Sequence, residues 1–486
     1  MDKFADLEPS SVFRFFAEIS SIPRGSGNMG AISQYVLDFA RERGYAARKD
    51  EFSNVVVFCP ASPGMEDRPT VMLQGHLDMV CEKSADSRHD FKKDPLDLRQ
   101  MDDCIYAAST TLGADDGIAV AYALAIMDDR SIVHPPLELV FTADEEVGMV
   151  GATGLDTSDL KAKYLLNLDS EREGVFLSSS AGGLRAFLSV PVKYTKKSGE
   201  KYSILVSGFQ GGHSGGEIDK YRGNANLIMG RLLHFLSVNG VGLDIYSLQG
   251  GLMINAIPRD AACRALLATD EDAAKLEKLI PEFEKTIKNE YKATDKNIMI
   301  YCDRKGRDEK PVLHKKMQER LIFLLNTLPD GVIRMSQEEA TRGLVETSLN
   351  MGIMRLTEKS FEIEAALRSS VSTAKYALAE KLRYLVETIG GSYEESGDYP
   401  AWEYREDSKI IPFISGLYTE MSGRAAEVSG VHMGVECGIF YEKMPDLDIV
   451  SFGPDISGAH TPSERMSIPS AKRTWDLLLR VLKEIK

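Results

Sequence analysis

The sequence predicts an α/β domain that is interrupted by an inserted α+β domain. Over residues 1–185, helical patterns alternate with short apolar runs, and the same texture returns near the C-terminus. From about 190 to 395 the chain instead shows two similar blocks, each with strands and a helix. We therefore expect a discontinuous first domain at 1–188 and 398–486, and an inserted domain with two similar halves at 189–397. A chain of 486 residues is long enough for two or more domains.

Bare apolar runs in the first domain predict strands that are buried on both faces of a sheet. These runs are Asn54–Cys59, Thr70–Gln74, Leu137–Thr142 and Tyr164–Leu168, with a further strand near Asp446–Ser451. Apolar residues at helical spacing predict helices at Gly27–Arg43, Asp115–Met127 and Ala471–Ile485.

The inserted domain shows the same kinds of signal in two blocks. The first block predicts strands at Tyr202–Ser207 and Leu252–Ile257 and a helix at Asn224–Val238. The second predicts strands at Lys296–Tyr301, Leu344–Arg355 and Ser360–Arg368, followed by a helix at Thr373–Ile389. The segment Gly391–Pro400 is rich in glycine and polar residues, which predicts a turn-rich linker back to the first domain.

Composition excludes several classes of protein. An apolar content of 43% and 40 glycines argue against a disordered chain, and a net charge of −15 disfavours binding to nucleic acid or anionic membranes. Six scattered cysteines without a CxxC pair disfavour a disulfide scaffold or a zinc–thiolate site. The most apolar run, Ile118–Ile126, is far shorter than a membrane span, and the N-terminus lacks a signal-peptide pattern. We expect a soluble protein of the cytoplasm.

One motif does not carry its usual meaning. Residues Gly25–Gly30 match the G-x-G-x-x-G pattern of dinucleotide-binding proteins. A predicted helix precedes them where that motif requires a strand, and no βαβ unit surrounds them. We interpret the segment as a glycine-rich entrance to a helix.

Five other segments carry side chains that bind metals, and each ends a predicted strand or begins a helix. They are QGHLDMV (His76 and Asp78), TLGADDG (Asp115), TADEEVG (Glu145 and Glu146), LNLDSE (Asp169) and SGAHTPSE (His460). Strand ends are where open α/β sheets place their ligands. Imidazole and carboxylate ligands suit Zn²⁺, Mn²⁺ or Co²⁺.

Each of these segments also has an ordinary interpretation. A single His-x-Asp is typical of structural pairs, paired glutamates are typical of solvated surface, and an aspartate after a strand can cap a turn. However, the flanking residues are apolar strands rather than surface sequence, and acids at such positions require a partner or a cation. Five such segments in one chain favour a metal centre.

The order of these residues resembles that of the di-zinc aminopeptidase, carboxypeptidase and aminoacylase family. Within it, the chain is most similar to the aminoacyl-histidine dipeptidases, also called peptidase D or cytosolic nonspecific dipeptidases. The resemblance extends over nearly the whole chain and rests on IPRGSGN, QGHLDMVCEK, LGADDGIAVA, TADEEVGMVGA, LNLDSE, GGHSGGEI, NAIPR, ALRSS and VECGIF. One departure is Asp116, where that subgroup often has asparagine; it removes no expected ligand.

The resemblance implies a phosphorylase/hydrolase-like catalytic domain with a central mixed sheet, an inserted lid domain and two divalent metal ions. Zinc is expected, and manganese or cobalt is compatible with the same ligands. The implied ligands are the bridging Asp115, with His76 and Asp169 at one metal, and Glu146 and His460 at the other.

The resemblance also implies roles for residues that do not bind metal. Asp78 would accept the imidazole N–H of His76, and Glu145 would be the general base that passes a proton from water to the leaving amine. His213 in the insertion would stabilise the oxyanion. Three residues would contact the substrate: Asn255, Arg368 and Gly434.

The function that follows is hydrolysis of short L-peptides, including dipeptides with histidine at the second position. An N-acyl amino-acid deacylase or a carboxypeptidase of the same superfamily is the nearest alternative, and a catalytically silent binding protein is the alternative of another class. The sequence leaves the resident metal, the side-chain preference and dimerisation open. Because the insertion contains two α+β halves, we expect His213 to act in cis on the metals of its own chain.

Overall fold

The computed structural model describes Phe4 and residues 6–486, which divide into two compact units. The first unit contains the described residues up to Ser180, together with Trp402–Gly430 and Val435–Lys486. The second contains Ala181–Ala401 and Val431–Gly434. Among the residues that the structure describes, no helix combines the length and apolarity needed to cross a membrane.

An eight-stranded mixed sheet forms the centre of the first unit, in the order β1-β2-β6-β3-β7-β21-β8-β20. Its strands are β1 (Ala46–Lys49), β2 (Val55–Cys59), β3 (Val71–His76), β6 (Leu137–Thr142), β7 (Tyr164–Asn167), β8 (Val175–Ser180), β20 (Glu427–Val431) and β21 (Asp448–Ser451). The four central strands β6, β3, β7 and β21 are parallel, whereas β1, β2 and β8 pair antiparallel with their neighbours. A smaller sheet consists of β4 (Leu98–Met101), β5 (Cys104–Ala107), β22 (Ile456–Ser457) and β23 (Arg465–Ser467).

Helices cover this sheet and form its core with it. They are α1 (Ser10–Ser20), α2 (Gly30–Glu42), α3 (Ala114–Asp128), α4 (Val150–Gly154), α9 (Ile410–Ser422), α10 (Cys437–Lys443) and α11 (Ile468–Glu484). Helix α3 is apolar on every face and almost all of its side chains are buried, as expected for a helix in the middle of a core. Its first turn therefore has a fixed position relative to strand β3, which α3 contacts.

A nine-stranded sheet forms the second unit, in the order β15-β10-β14-β12-β17-β18-β9-β19, with β16 paired to β17. The strands are β9 (Gly182–Pro191), β10 (Tyr194–Ser207), β12 (Leu243–Gly250), β14 (Ala261–Leu267), β15 (Met299–Leu313), β16 (Gly331–Met335), β17 (Val345–Leu356), β18 (Ser360–Ser369) and β19 (Ser392–Tyr399). A separate pair consists of β11 (Gly212–His213) and β13 (Ala256–Ile257). The helices are α5 (Ala225–Val238), α6 (Asp270–Glu290), α7 (Lys315–Thr327) and α8 (Ser372–Thr388), with a 3₁₀ turn at Ile218–Lys220.

Two predicted segments of the insertion were wrong. Gly391–Pro400 is not a linker, because Ser392–Tyr399 forms the edge strand β19 against β9. Its side chains are polar and mostly exposed, so the strand lacks the apolar pattern that would reveal it. Leu252–Ile257 is not one strand, since the true strand β12 ends at Gly250 and Leu252 is 95% exposed in the loop that follows.

Candidate metal centre

The five segments that carry the candidate metal-binding side chains meet at the carboxyl ends of parallel strands in the first unit. His76 is the last residue of β3, Glu145 and Glu146 follow the neighbouring β6, and Asp169 follows β7 on the other side. Asp115 lies at the start of α3, where its own backbone is not helical (φ −80°, ψ 107°). Because β3, β6 and β7 run in the same direction, their ends bring these side chains to one edge of the sheet.

The carboxylate of Asp115 lies between two imidazoles. Its Oδ1 is 3.0 Å from Nε2 of His76, and its Oδ2 is 3.1 Å from Nε2 of His460. Both histidines therefore direct the same ring nitrogen at one carboxylate, which is compatible with a carboxylate shared by two cations.

Two groups of ligand atoms surround Asp115. On one side Asp115, Glu146 and His460 have ligand atoms within 4.8 Å of one another, and Nε2 of His460 is 3.0 Å from Oε1 of Glu146. On the other side Nε2 of His76 lies 3.7 Å from Oδ1 of Asp169. The groups overlap, because ligand atoms of His76, Glu145 and Glu146 also lie within 4.8 Å of one another.

Asp116 adds a further carboxylate on the His76 side. It is buried, it groups with His76 and Asp169 in a second set of potential ligands, and its Oδ2 accepts the backbone N–H of His76 at 3.2 Å. Because this hydrogen bond is to the backbone of a ligand, Asp116 supports the end of β3.

Asp78 orients both sides of the site. Nδ1 of His76 is 3.1 Å from the carbonyl oxygen of Asp78 and 3.4 Å from its Oδ1, so both neighbours are acceptors and Nε2 is the nitrogen available for a metal. The same carboxylate accepts the backbone N–H groups of Glu145 and Glu146 at 3.0 and 3.2 Å. Burial alone would raise the pKa of Asp78, but hydrogen bonds from His76, Ser26 and Glu145 lower it to about 2.

Several buried carboxylates lie close together at this site and repel one another. Burial raises the pKa of Asp169 well above its usual range, and the charges of Asp115 and Asp116 raise it further. Burial likewise raises the pKa of Glu145 to about 8, with Glu436 and Glu146 adding to the shift and His76 opposing it. Divalent cations would remove this repulsion, so the donor set fits two metal ions with nitrogen and oxygen ligands.

The other predicted site residues all lie in the second unit. His213 is in β11, and its Nδ1 accepts the backbone N–H groups of Gly215 and Gly216 at 3.2 Å each. The ring proton must therefore be on Nε2. Burial lowers the pKa of His213, and the positive charge of Arg368 lowers it further, so the ring is a neutral donor.

Asn255 lies beside His213 because β11 and β13 pair. His213 is opposite Ala256, and the carbonyl oxygen of Asn255 accepts the N–H of Ser214 at 2.9 Å. Nδ2 of Asn350 donates to the carbonyl oxygens of both Ile254 and Ala256, at 2.9 and 3.0 Å. Asn350 thus fixes the backbone on both sides of Asn255.

Arg368 lies in β18 between Ser348 of β17 and Gly183 of β9. Its Nη1 donates to the hydroxyl of Tyr399 at 2.9 Å, and its buried Nε has no hydrogen-bond partner among the described residues. The guanidinium therefore retains donors for an anionic ligand.

Gly434 lies in the short segment Val431–Gly434 that belongs to the second unit. Its neighbour His432 donates to or accepts from the hydroxyl of Ser348 at 2.7 Å. Burial and the charge of Arg368 lower the pKa of His432 to about 3, so this ring is neutral.

Sequence reasoning missed several residues that hold the site in place, including Asn350, Tyr399, Arg24 and Glu464. Each lies far along the chain from the group it supports. Asn350 lies in a predicted strand that also contains Glu346, Thr347 and Ser348, so the pattern does not distinguish it. Arg24 and Glu464 lie in the quoted segments IPRGSGN and SGAHTPSE, but these segments do not show which backbone groups the two side chains hold. Tyr399 lies in the segment that was predicted to be a linker.

Comparison with known proteins shows the family to which the chain belongs. The model of peptidase family M20/M25/M40 matches residues 72–484. The chain belongs to this family. It is 37% identical to the cytosol non-specific dipeptidase of Escherichia coli strain K12 over 100% of this chain and 99% of that protein.

Solved structures give the same result for the fold. The crystal structure of aminoacylhistidine dipeptidase from Vibrio alginolyticus superimposes with a TM-score of 0.93 at 35% identity, covering 100% of this chain and 98% of that one. Aminopeptidase PepT from Bacillus cereus has a TM-score of 0.55 at 14% identity, covering 99% of each chain, and supports the fold alone. The predicted α/β class and the resemblance to this family are confirmed.

The pKa shifts predict how pH affects the metal-free protein. Glu145 and His460 both have raised pKa values, about 8 and about 11, so the folded state holds more protons than the unfolded state between about pH 5 and pH 8. Stability therefore falls as pH rises through that range. We expect the melting temperature of metal-free protein to decrease from about pH 5.5 to about pH 8.

Zinc-loaded protein is the control for this measurement. Bound cations keep the proposed ligand His460 deprotonated, and their charge favours the deprotonated form of the neighbouring Glu145, so the decrease with pH should be much smaller after zinc is added. Equal decreases with and without zinc would contradict the assignment of these groups to a metal centre.

Proposed function

We propose that this protein is a metal-dependent dipeptidase of the cytoplasm. The observation that carries the proposal is the position of Asp115 between His76 and His460, within a family of peptidases. Full-length similarity to two proteins named as dipeptidases, one of them cytosolic, supports the substrate class and the location. The name of the Vibrio protein supports dipeptides with histidine at the second position as substrates.

The proposed metal ligands form two sets that share Asp115. His76 and Asp169 complete one set, and Glu146 and His460 complete the other. Zinc is the proposed metal, although Mn²⁺ and Co²⁺ accept the same ligands. When bound, two such cations act as Lewis acids and lower the pKa of water at the site.

Glu145 is the proposed general base. Asp78 holds its backbone N–H and that of Glu146, so the two adjacent side chains can diverge and divide the tasks of base and ligand. Glu145 accepts a proton from the attacking water and then donates it to the amine that leaves.

His213 is the proposed donor to the oxyanion. Its proton is on Nε2, because two backbone N–H groups occupy Nδ1. A neutral donor of this kind can hydrogen-bond to the oxygen that becomes negative as water attacks.

Arg368, Asn255 and Gly434 are the proposed contacts to the free carboxylate and backbone of the substrate. The planar guanidinium of Arg368 suits two parallel hydrogen bonds to a carboxylate, and one of its buried nitrogens lacks a partner among the described residues. A site that requires this carboxylate one residue beyond the cleaved bond favours dipeptides over longer chains.

Replacement of Glu145 tests the base. Glu145→Gln keeps the size of the side chain but cannot accept a proton, so kcat should fall by ~10²–10⁴ while two metal ions remain bound. Glu146→Gln is the matched control, since loss of a ligand should lower metal content. Loss of metal in Glu145→Gln alone would show that the two roles are exchanged.

A substrate panel tests the proposed reaction. We expect zinc-loaded protein to hydrolyse L-dipeptides, including Xaa-His, faster than tripeptides, C-terminally amidated dipeptides or N-acetyl amino acids. Cleavage of N-acetyl amino acids without dipeptides would identify a deacylase instead. Binding of dipeptides without any hydrolysis would identify a silent binding protein.

The same panel locates the carboxylate site. Arg368→Ala should lower kcat/KM for dipeptides by about 10–100-fold and abolish most of the difference between free and amidated substrates. Arg355→Ala, on the neighbouring strand β17 and half-exposed, is the control and should leave both rates unchanged. Equal sensitivity to amidation in wild type and Arg368→Ala would move the site elsewhere, with Asn255 the next candidate.

We also propose that His213 acts in cis. The chain carries both the metal ligands and a second unit whose sheet contains two four-stranded parts, β15-β10-β14-β12 and β17-β18-β9-β19. If His213 reaches the metal site of its own chain, the contact is intramolecular and does not depend on protein concentration. Its effective concentration is then in the mM range. Dimerisation through other surfaces is compatible with this proposal.

Mixing two inactive variants tests the cis proposal. Co-expressed His213→Ala and Glu145→Gln chains should remain inactive, and the specific activity of wild type should not fall on dilution to nanomolar enzyme. Recovered activity in the mixture would mean that His213 crosses between subunits.

A further inference from the structure

Arg24 is a buried cation that connects two of the ligand-bearing loops. It is 1% exposed, and its Nη1 donates to the carbonyl oxygens of Leu77 and Asp78 at 3.0 and 3.1 Å. Its Nη2 donates to the carbonyl oxygen of Gly113 at 2.5 Å. The first two carbonyls directly follow His76, and the third precedes the turn that carries Asp115. One guanidinium therefore fixes the distance between these two ligands.

The backbone around Arg24 is shaped for it. A Cβ atom on Gly113 or Gly117 would lie 2.7 or 2.4 Å from Nη2 of Arg24, which no side chain could accept without displacing the guanidinium. Gly113 also has a φ of 65°, in the left-handed region that glycine adopts readily. The two glycines thus form a cradle for the arginine.

Glu464 binds the backbone N–H groups of the loop that contains Asp115. Its Oε2 accepts the backbone N–H groups of Leu112 and Gly113 at 2.7 and 3.0 Å, and its Oε1 accepts those of Ala114 and Asp115 at 2.8 and 3.4 Å. These groups include the first N–H groups of α3, and Gly113, the residue before the helix, provides no side-chain cap for them. The carboxylate is 2% exposed, so it does not exchange these donors for water.

Glu464 also belongs to the loop that carries His460. Both lie between β22 and β23, and the N–H of Glu464 donates to the carbonyl oxygen of Thr461 at 3.0 Å. The carboxylate therefore connects the His460 loop to the Asp115 loop, as Arg24 connects the Asp115 loop to the end of β3.

We propose that Arg24 and Glu464 are positioning residues that fix the ligands of the two metal ions relative to one another. Arg24 fixes Asp115 relative to His76, and Glu464 fixes Asp115 relative to His460. The proposal rests on the metal ligands assigned under the proposed function. It adds that Glu464 controls the site of Glu146 and His460 in particular, although Glu464 binds no metal itself.

The matching substitution is Glu464→Gln. The amide keeps the shape of the side chain, but it loses the charge and presents N–H groups to backbone donors, so the Asp115 and His460 loops should separate. In zinc titrations of metal-free protein by calorimetry, we expect the dissociation constant of one ion to rise ~10–100-fold, as for other residues that orient ligands. The other ion, on the His76 side, should lose less affinity, because Arg24 still connects the Asp115 loop to the end of β3.

Glu138→Gln is the control for loss of a buried carboxylate. Glu138 is 4% exposed and accepts the backbone N–H groups of Lys161 and Ala162 at 2.7 and 3.1 Å, but it lies at the opposite end of β6 from the ligands. It should lower the melting temperature without changing either dissociation constant. Glu464→Asp, which restores the charge on a shorter side chain, should recover part of the lost affinity.

Arg24→Lys tests the other half of the proposal. Lysine keeps the charge but cannot span three carbonyl oxygens in the fixed plane of a guanidinium. Since Arg24 connects the Asp115 loop to the end of β3, we expect the ion on the His76 side to lose more affinity than the other ion, the reverse of Glu464→Gln.

Three outcomes would decide against this inference or against its basis. Unchanged zinc affinities in Glu464→Gln would overturn it. If Glu464→Gln weakened the binding of both ions equally, and Glu138→Gln weakened it to the same extent, the role of Glu464 would be purely structural and the proposal would also be overturned. If wild type bound two ions but Asp115→Asn also bound both with unchanged affinity, the proposed ligands themselves would be wrong.

Discussion

The carboxylate of Asp115 between two imidazoles is the interaction on which the rest of this structure depends. Asp115 has one oxygen 3.0 Å from His76 and the other 3.1 Å from His460, and other acids surround this group on a buried sheet edge. Such an arrangement is costly without cations, because burial and like charges raise the pKa values of Asp169 and Glu145. The backbone around Asp115 is stabilised by buried hydrogen bonds to two charged side chains, Arg24 and Glu464.

The fold explains why the proposed ligands can be placed so closely. Three parallel strands end at one edge, and the largely buried helix α3 begins beside Asp115. Side chains at the ends of buried elements vary little in position, whereas His460 lies in a loop and is half-exposed. That difference is the physical reason why the His460 loop needs a separate connection through Glu464.

The candidate site residues were easier to find in the sequence than the residues that support them. His76 ends an apolar strand, and Glu145 and Asp169 come two or three residues after one, so local patterns place all three at the end of a sheet. Glu464 is 349 residues from the backbone N–H of Asp115, and Asn350 is 96 residues from Ile254, so no local pattern shows what they hold. Local patterns also limited the prediction of the fold. The bounds of the buried apolar strands predicted in the first unit were correct to within about two residues, whereas the polar edge strand β19 was mistaken for a linker.

A zinc-soaked crystal examined by anomalous diffraction at the zinc edge tests the central claim most directly. The account predicts two peaks ~3.5–4 Å apart, with one oxygen of Asp115 at each, His76 and Asp169 at the first and Glu146 and His460 at the second. A single peak, or two peaks that Asp115 does not bridge, would contradict it.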